Sequence, residues 1–537
     1  MATPVSVEKP SQAGIATNSR TATLIESAGR SQEDVLSQAP GEGEEPEDSF
    51  EMVMGPNDRD NPKTWSRPYR WLITMTAAML VLNATFASSA PSGMMTQLMS
   101  HFHLSGEVAT LTIALFVAGY CVGPLVWGPL SEQVGRKPVF VSCFIVYTLF
   151  QVGNALAPNT AALLIIRFLG GTFAAAPLAN SGAVIADIWD ADTRGKAMAT
   201  FTLAPLAGPT VGPIISGFMN DAGVSWRWIF WLQAIFAGSC LIAIIFIIPE
   251  TYVPVLLAKR AQRKRKETGD DRYWAPLERK KMTLSEWFKQ ILAKPFIMLF
   301  TEPMLMAMTL YMGFVYGIVY LLFEAFPIVF TEGHHFNAGI SGLMYIPYCS
   351  GGVSAVLIYL AYFNPRYTAA IKRYAPHPVP PEVRMEMCVW AAPIFGLAFF
   401  WFGWTSYPSI SFWAPMMAGY PMGLSTIFIF LGIFNYTIDA YLAVAASALS
   451  AITVVRSLFG AAFPLFAAQM FEALNPRWAS TLLGCLAIVI MTPIPIILQR
   501  YGHKIRARSK YAPSRALPPK VQPMAKEEED YMGEKAV

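Results

Sequence analysis

The sequence predicts an all-α membrane protein with twelve transmembrane helices in two pseudo-symmetric six-helix bundles. Three observations predict it. First, apolar segments recur near 69–90, 107–128, 138–157, 161–186, 196–218, 228–248, 303–326, 338–362, 386–405, 411–433, 442–468 and 478–499. About 20 apolar residues are what a helix needs to cross about 30 Å of hydrocarbon. Second, charge is scarce: 14% of residues are charged and 54% hydrophobic, with a mean hydropathy of +0.39. Soluble domains carry roughly 25% charged residues. Third, a long basic connection at 249–295 divides the segments six and six, as expected of two halves related by a repeat.

Charge placement sets the orientation. The chain holds 40 Lys and Arg, and all but Arg167, Arg227, Arg456 and Arg477 fall in tails and loops on one side of the proposed spans. The positive-inside rule puts that side, and both termini, in the cytoplasm. The basic stripe is then an orientation signal, so no nucleic-acid partner is expected. The first 60 residues are polar, with no short apolar stretch ahead of a cleavage site, and no cleaved leader is expected.

From the N-terminus, residues 1–64 are rich in Glu, Ser, Pro and Gly, with an acidic run at Glu42–Asp48. They bury too little apolar surface to fold alone and read as a disordered tail. The first bundle covers 65–248, entered through Asn61-Pro-Lys-Thr-Trp-Ser66. In the connection, Lys259–Lys266 holds six basic residues in eight. This reads as an amphipathic helix on the inner leaflet, drawn to anionic lipid; a calmodulin-type target is the alternative. The second bundle covers 296–500, and 501–537 reads as a second disordered tail. The outer loops are short and carry no Asn-x-Ser/Thr sequon. All six cysteines (Cys121, Cys143, Cys240, Cys349, Cys388, Cys485) fall within spans without metal spacing. They read as reduced, packed thiols, and no cofactor or metal is expected.

Four groups of residues carry chemistry. Between spans two and three runs Gly128-Pro-Leu-Ser-Glu132-Gln-Val-Gly135-Arg136-Lys137. Its small residues suit a tight turn. Glu132 and Arg136 can pair with each other or with helix ends of the other half. Span four contains Leu163-x-x-x-Arg167-x-x-Gly170-Gly171. A guanidinium inside a span is costly and faces a cavity or a partner, unless it snorkels to the nearby interface. Span five carries Ala199-x8-Gly208-Pro209-x-x-Gly212-Pro213-x-x-Ser216-Gly217. Repeated Gly and Pro loosen a helix and permit close packing.

The remaining intramembrane charges are Glu324 in span seven and Arg456 in span eleven, with Glu107, Asp187, Asp439 and Glu472 nearer span ends. Glu324 is a candidate proton carrier, because burial favours the neutral form of a carboxyl group; a helix-end residue in outer water is the other reading. Arg456 is free to meet an anionic group of a substrate, Glu324, or a fixed structural partner. Tyr311, Tyr316, Tyr320 and Phe323 along span seven are candidate cavity-lining residues. Trp401, Trp404, Trp413, Met416 and Met417 flank the turn between spans nine and ten, where the tryptophans suit the headgroup belt.

The loop between spans two and three resembles the G-x-L-x-D-x-x-G-R-K signature of the major facilitator superfamily, with Glu132 at its acidic position. Span four resembles the second motif of that superfamily and span five the antiporter motif of its drug:proton exchangers, with Ala199 and Ser216 in place of glycines. Asn61–Ser66, Pro249-Glu-Thr-Tyr252, Glu302-Pro303, Pro381-Glu-Val-Arg384 and the stretch from Ser447 to Pro464 resemble the fungal twelve-spanner drug:proton antiporters. The likeness spans about 60–505. It implies a gating role for Gly128, Glu132, Gly135, Arg136 and Lys137. It implies proton coupling at Arg167; Glu324 and Arg456 are further coupling candidates from their charge inside the spans. It implies a seal between halves at Gly208, Pro209, Gly212, Pro213 and Gly217.

Other classes lack their chemistry. No G-x-x-x-x-G-K-[ST] loop is present for an ATP-driven pump, and no H-E-x-x-H or G-x-S-x-G for a membrane enzyme. Channel filters repeat charged or carbonyl rings, which are not apparent here. The expectation is a secondary transporter that exports an amphipathic organic compound, such as a drug, toxin, secreted secondary metabolite or glycolipid, by proton antiport. A polyamine or organic-acid carrier of the same fold is the alternative. A polyamine would need several cavity carboxylates, since desolvated charges must be paired. Its partners are then a small-molecule substrate, protons and membrane lipids. A monomer is expected, in the plasma membrane or else the vacuolar membrane.

Overall fold

The computed structural model of the chain describes residues 50–279, 293–375 and 377–512. Residues 1–49 and 513–537, which hold most of the two expected tails, and 280–292 of the connection lie outside the described residues. Among the described residues, eleven helical stretches are long and apolar enough to cross a membrane. The last, Ala445–Arg506, is two spans in one. It breaks at Asn475, which has φ 60° and ψ 154°. Pro476 disfavours helix in the residue before it, and Asn tolerates a left-handed φ better than most side chains. Spans eleven and twelve therefore meet at this single residue, without the loop that the apolar pattern suggested. Twelve spans result.

The first six are Arg67–Phe102, Gly106–Val134, Arg136–Ala155, Thr160–Ile188, Thr193–Asp221 and Arg227–Ile247. The next four are Pro303–Gly333, Ala338–Tyr374, Pro381–Thr405 and Trp413–Ala440. Local chemistry starts them. The side chains of Ser105, Asn159 and Asn337 cap spans two, four and eight by accepting from the backbone N–H groups of Val108, Ala162 and Ile340. Such caps satisfy donors that a helix start leaves free. Spans two and three join at Gly135, with φ 111°, and a Cβ there would strike the Glu250 carboxylate. Only glycine suits both the angle and the space.

Large side chains such as Phe246 and Val489 stand outward, 81% and 71% exposed, as a surface facing lipid requires. Tyr120, Tyr147, Phe116 and Phe144 are buried in the first half, and Tyr311, Phe326, Tyr436 and Phe402 in the second. One face of the bundle carries both described ends of the chain. Arg260 of the connection binds Asp58 near the start, and Arg506 near the end binds Glu382 at the start of span nine. This is called the terminal face below.

The basic connection forms the helix Val253–Thr268, as its pattern implied. Its apolar residues Leu257 and Ala261 pack with Ala275 against Met52 and Met54 of the chain itself. Arg260 is taken by Asp58 and Asp60, and Arg265 by Glu278. The side expected to lie on lipid is thus covered, and residues from Met52 onward, expected in a loose tail, form its cover. Hydrogen bonds from Arg260 lower the pKa of Asp58 to about 2. An Asp so depressed contributes its share above the unfolded value and loses it only as pH falls toward 2. The tether therefore stays ionised across physiological pH.

Candidate functional site

Arg167 sits seven residues into the helix Thr160–Ile188, about 10 Å from the face opposite the termini at 1.5 Å per residue. It is fully buried. Nε donates to the carbonyl of Thr112 at 2.6 Å, and the two Nη atoms to those of Ala87 at 2.9 Å and Ser88 at 3.3 Å. The Phe116 ring lies 4.1 Å below the guanidinium. The side chain does not snorkel: it turns inward and ties spans one, two and four together. Arg is suited to this because its planar fork presents several donors at fixed angles and stays charged. Its partners are backbone carbonyls, with no carboxylate among them.

A column of aromatic residues fills the join between the halves. Tyr316, Tyr320 and Phe323 are buried on span seven. The Tyr316 hydroxyl lies 3.4 Å from that of Tyr320, which lies 2.9 Å from Ser88 Oγ on span one. The Ser88 carbonyl is also the one that receives Arg167, so a file of polar groups runs from span seven to the buried guanidinium. Tyr311 is placed elsewhere, buried close to Cys388 within the second half. Beside the column is a gap of about 10 Å3 lined by Pro209, Thr210, Val319, Leu322, Phe323, Tyr345 and Tyr348. That holds roughly one water, so the side chains around this gap are closely packed.

Arg456 stands on the terminal side of the column. Its guanidinium lies 4.6 Å from the Tyr316 ring, 5.7 Å from Phe434 and 5.8 Å from Phe430. The residue is half-buried and its buried Nε has no hydrogen-bond partner. Glu324 is at the other end, where it accepts from Thr110 Oγ1 of span two at 3.2 Å. Nearby, Gln469 Nε2 of span eleven donates to Glu107 Oε1 of span two at 2.9 Å. Glu324 and Arg456 do not pair. Tyr316, which carries Arg456, is eight residues from Glu324 on the same helix, or about 12 Å.

Span five packs closely against span one and, across the join, against span eight. A Cβ on Gly208 would come within 2.6 Å of the Phe86 nitrogen, and one on Gly212 within 3.0 Å of the Ala90 nitrogen, both on span one. A Cβ on Gly217 would reach the carbonyl carbon of Ala338 at 2.7 Å, across the join on span eight. The Asp221 carboxylate at the end of span five accepts from the backbone N–H of Ala338 at 3.2 Å and of Gly339 at 2.8 Å. Pro209 and Pro213 lie inside this helix and are buried. Ala199 and Ser216 are also buried. Ser216 Oγ donates to the Gly212 carbonyl of its own helix at 2.9 Å.

On the terminal face, Arg136 does not pair with Glu132, which is exposed and makes no ion pair among the described residues. Arg136 Nε meets Asp187 of span four at 3.4 Å, and its backbone N–H donates to Glu250 at 2.9 Å. Lys137 Nζ donates to the Ile245 carbonyl at 2.8 Å. Ser131 Oγ donates to the Gly128 carbonyl at 2.6 Å. The second half repeats the pair: Arg384 Nε meets Asp439 of span ten at 3.1 Å. The separations are 51 and 55 residues, with each Arg opening the third or ninth span and each Asp near the close of the next. The sequence reading noted these four residues singly and missed the repeated pair, along with Ser88 and Thr110. The matched spacing was the available signal.

Twelve spans, a central aromatic join and repeated charged pairs on one face define a polytopic membrane protein. The profile of the Major Facilitator Superfamily matches residues 77–464. The chain is 42% identical over 475 residues to the multidrug transporter mdrA of Aspergillus fumigatus, covering 88% of this chain and 77% of that one. It is 41% identical to the citrinin biosynthesis cluster transporter mrr1 of Monascus ruber, over 86% of this chain and 91% of the other. It is 39% identical to the efflux pump FUBT of Fusarium oxysporum, over 88% and 79%. Among solved structures it superimposes on the proton:xylose symporter XylE with a TM-score of 0.57 at 16% identity, over 81% of this chain and 96% of that one. The human organic anion transporter MFSD10 gives 0.54 at 17%, over 80% and 100%; both likenesses concern the fold alone. The chain belongs to the major facilitator superfamily.

Proposed function

We propose that the protein is a secondary active exporter of an amphipathic organic compound, working by alternating access and proton exchange. The observation that carries this reading is span five. Its glycines let it lie against span one of its own half and span eight of the other, on the face opposite the termini. A helix packed this closely can seal one end of a central cavity and part from its neighbour as the halves rock. The relatives named as efflux and multidrug transporters support the direction of transport. The halves are 65–248 and 296–500, joined by 249–295. Both termini face the cytoplasm, and the plasma membrane is the site of action.

Coupling falls to Glu324, a carboxyl group that one hydroxyl holds at the join between halves. Arg167 acts through the polar file that links it to Tyr320. On the terminal face Arg136 pairs with Asp187 and Arg384 with Asp439, each within its own half, so these pairs hold neighbouring helix ends together while the halves move. Purified protein in vesicles with an imposed pH gradient tests the scheme, with a fluorescent amphipathic dye as probe. Dye should accumulate against its gradient and stop when a protonophore collapses the pH difference. Glu324→Gln should keep downhill dye exchange and lose the uphill component. Uphill movement indifferent to the protonophore contradicts proton exchange, and no dye movement at all contradicts a carrier.

A further inference from the structure

The charges inside the spans are not equally satisfied. Arg167 is saturated by three carbonyls. Glu324 has Thr110, Arg136 has Asp187, and Arg384 has Asp439. Arg456 has no hydrogen bond or ion pair among the described residues, and its buried Nε is unpartnered. It lies eleven residues into a helix that starts at Ala445, hence about 16 Å deep and near the middle of the hydrocarbon. A guanidinium cannot shed its proton to escape the cost of such a place. A charge held unpaired at mid-membrane marks a functional site.

Its surroundings fit one chemistry. The rings of Tyr316, Phe430 and Phe434 all lie within 5.8 Å of the guanidinium. Cation–π attraction lets the charge persist without a carboxylate. The same rings offer an apolar wall, while the fork is left for a planar anion, which it binds bidentately. Spans two, seven, ten and eleven meet here: Cys121 Sγ of span two donates to the Val454 carbonyl at 3.4 Å. The site therefore lies between the two halves, where a carrier of this architecture takes its cargo. We propose that the cargo is an organic anion, an aromatic or apolar body bearing a carboxylate, and that Arg456 is its counter-ion. This rests on the export reading above and names the substrate class for it.

Three probes of one shape test the idea: 1-naphthaleneacetate, its neutral amide and 2-(1-naphthyl)ethylamine. Binding is followed on the purified full chain, with flux in vesicles measured separately. A charge-assisted pair predicts that the acid binds about tenfold tighter than the amide, or more, and that the amine binds weakest. Arg456→Gln should bring the acid down to the level of the amide. Arg456→Lys should keep part of the preference. Equal affinity of the wild-type protein for acid and amide overturns the proposal, as does failure to bind the acid. A preference that survives in Arg456→Gln, with Arg456 then only a structural stack on Tyr316, overturns it too. The wild-type comparison needs no variant to fold. Binding decides the anion and flux decides export: equal affinity for acid and amide sinks the first, and vesicles that move no probe sink the second.

Discussion

Arg167 and Arg456 are the same side chain in the same membrane, and their surroundings give them different work. Arg167 is fully buried, with three carbonyls from two helices in its fork, and acts as a clamp. Arg456 is half-buried against rings and open to a partner. The rule that charge in hydrocarbon is never idle found both of them in the sequence. What it could not find were the partners of Arg167, because backbone carbonyls carry no residue-type signature. The snorkelling alternative and the clamp make different forecasts for Arg167→Lys. A snorkelling residue tolerates the change. A clamp does not, because a compact ammonium cannot reach three carbonyls set by a planar fork. Each lost charge-assisted bond is worth about 2 kcal/mol, so Arg167→Lys should lower the melting temperature clearly and Arg167→Ala further. Thermal unfolding of the purified variants in detergent checks this, and an unchanged melting temperature for Arg167→Lys would return the residue to the interface.

At the level of the helix, span five shows why small residues matter by position rather than by number. Gly212 faces span one at a distance that excludes a side chain, whereas Ala199 and Ser216 are buried yet accommodated. Gly212→Leu forces several extra carbons into that seam. Overpacking of this kind costs about 1–3 kcal/mol and shifts the backbone. Dye flux in vesicles should be abolished, with a lower melting temperature. Ser216→Ala should keep both near wild type, since the serine hydroxyl bonds only within its own helix. Wild-type flux in Gly212→Leu would remove this helix from the gating scheme. Helix number was legible in advance because bilayer thickness dictates it, whereas spans one and eight run on to Phe102 and Tyr374, beyond the stretches 69–90 and 338–362. The direct junction of spans eleven and twelve at Asn475 was not, since polar residues between two apolar stretches read as a loop whether or not they stay helical. The cover over the basic helix was hidden for a similar reason: an amphipathic pattern announces an apolar side and is silent on what lies against it.

The whole molecule is two halves whose join is closed on one face by specific contacts. Asp221 of the first half caps the backbone at Ala338 and Gly339 of the second, and Glu107 meets Gln469 across the same join. On the terminal face the charged pairs Arg136 with Asp187 and Arg384 with Asp439 each stay within one half. Bonds that cross the join on one face must break if the halves rock, while bonds within a half ride along unchanged. Cysteines at Asp221 and Ala338, joined by a short bifunctional reagent, should therefore hold that face shut and stop dye flux in vesicles, with flux restored when a cleavable linker is cut. The six native cysteines, of which Cys485 is exposed, make the two single variants the necessary controls. Each single variant treated with the reagent should transport as before. Full transport by the linked double variant would mean that cargo crosses without separation of the halves on that face, and alternating access by rocking would be the wrong description of this protein.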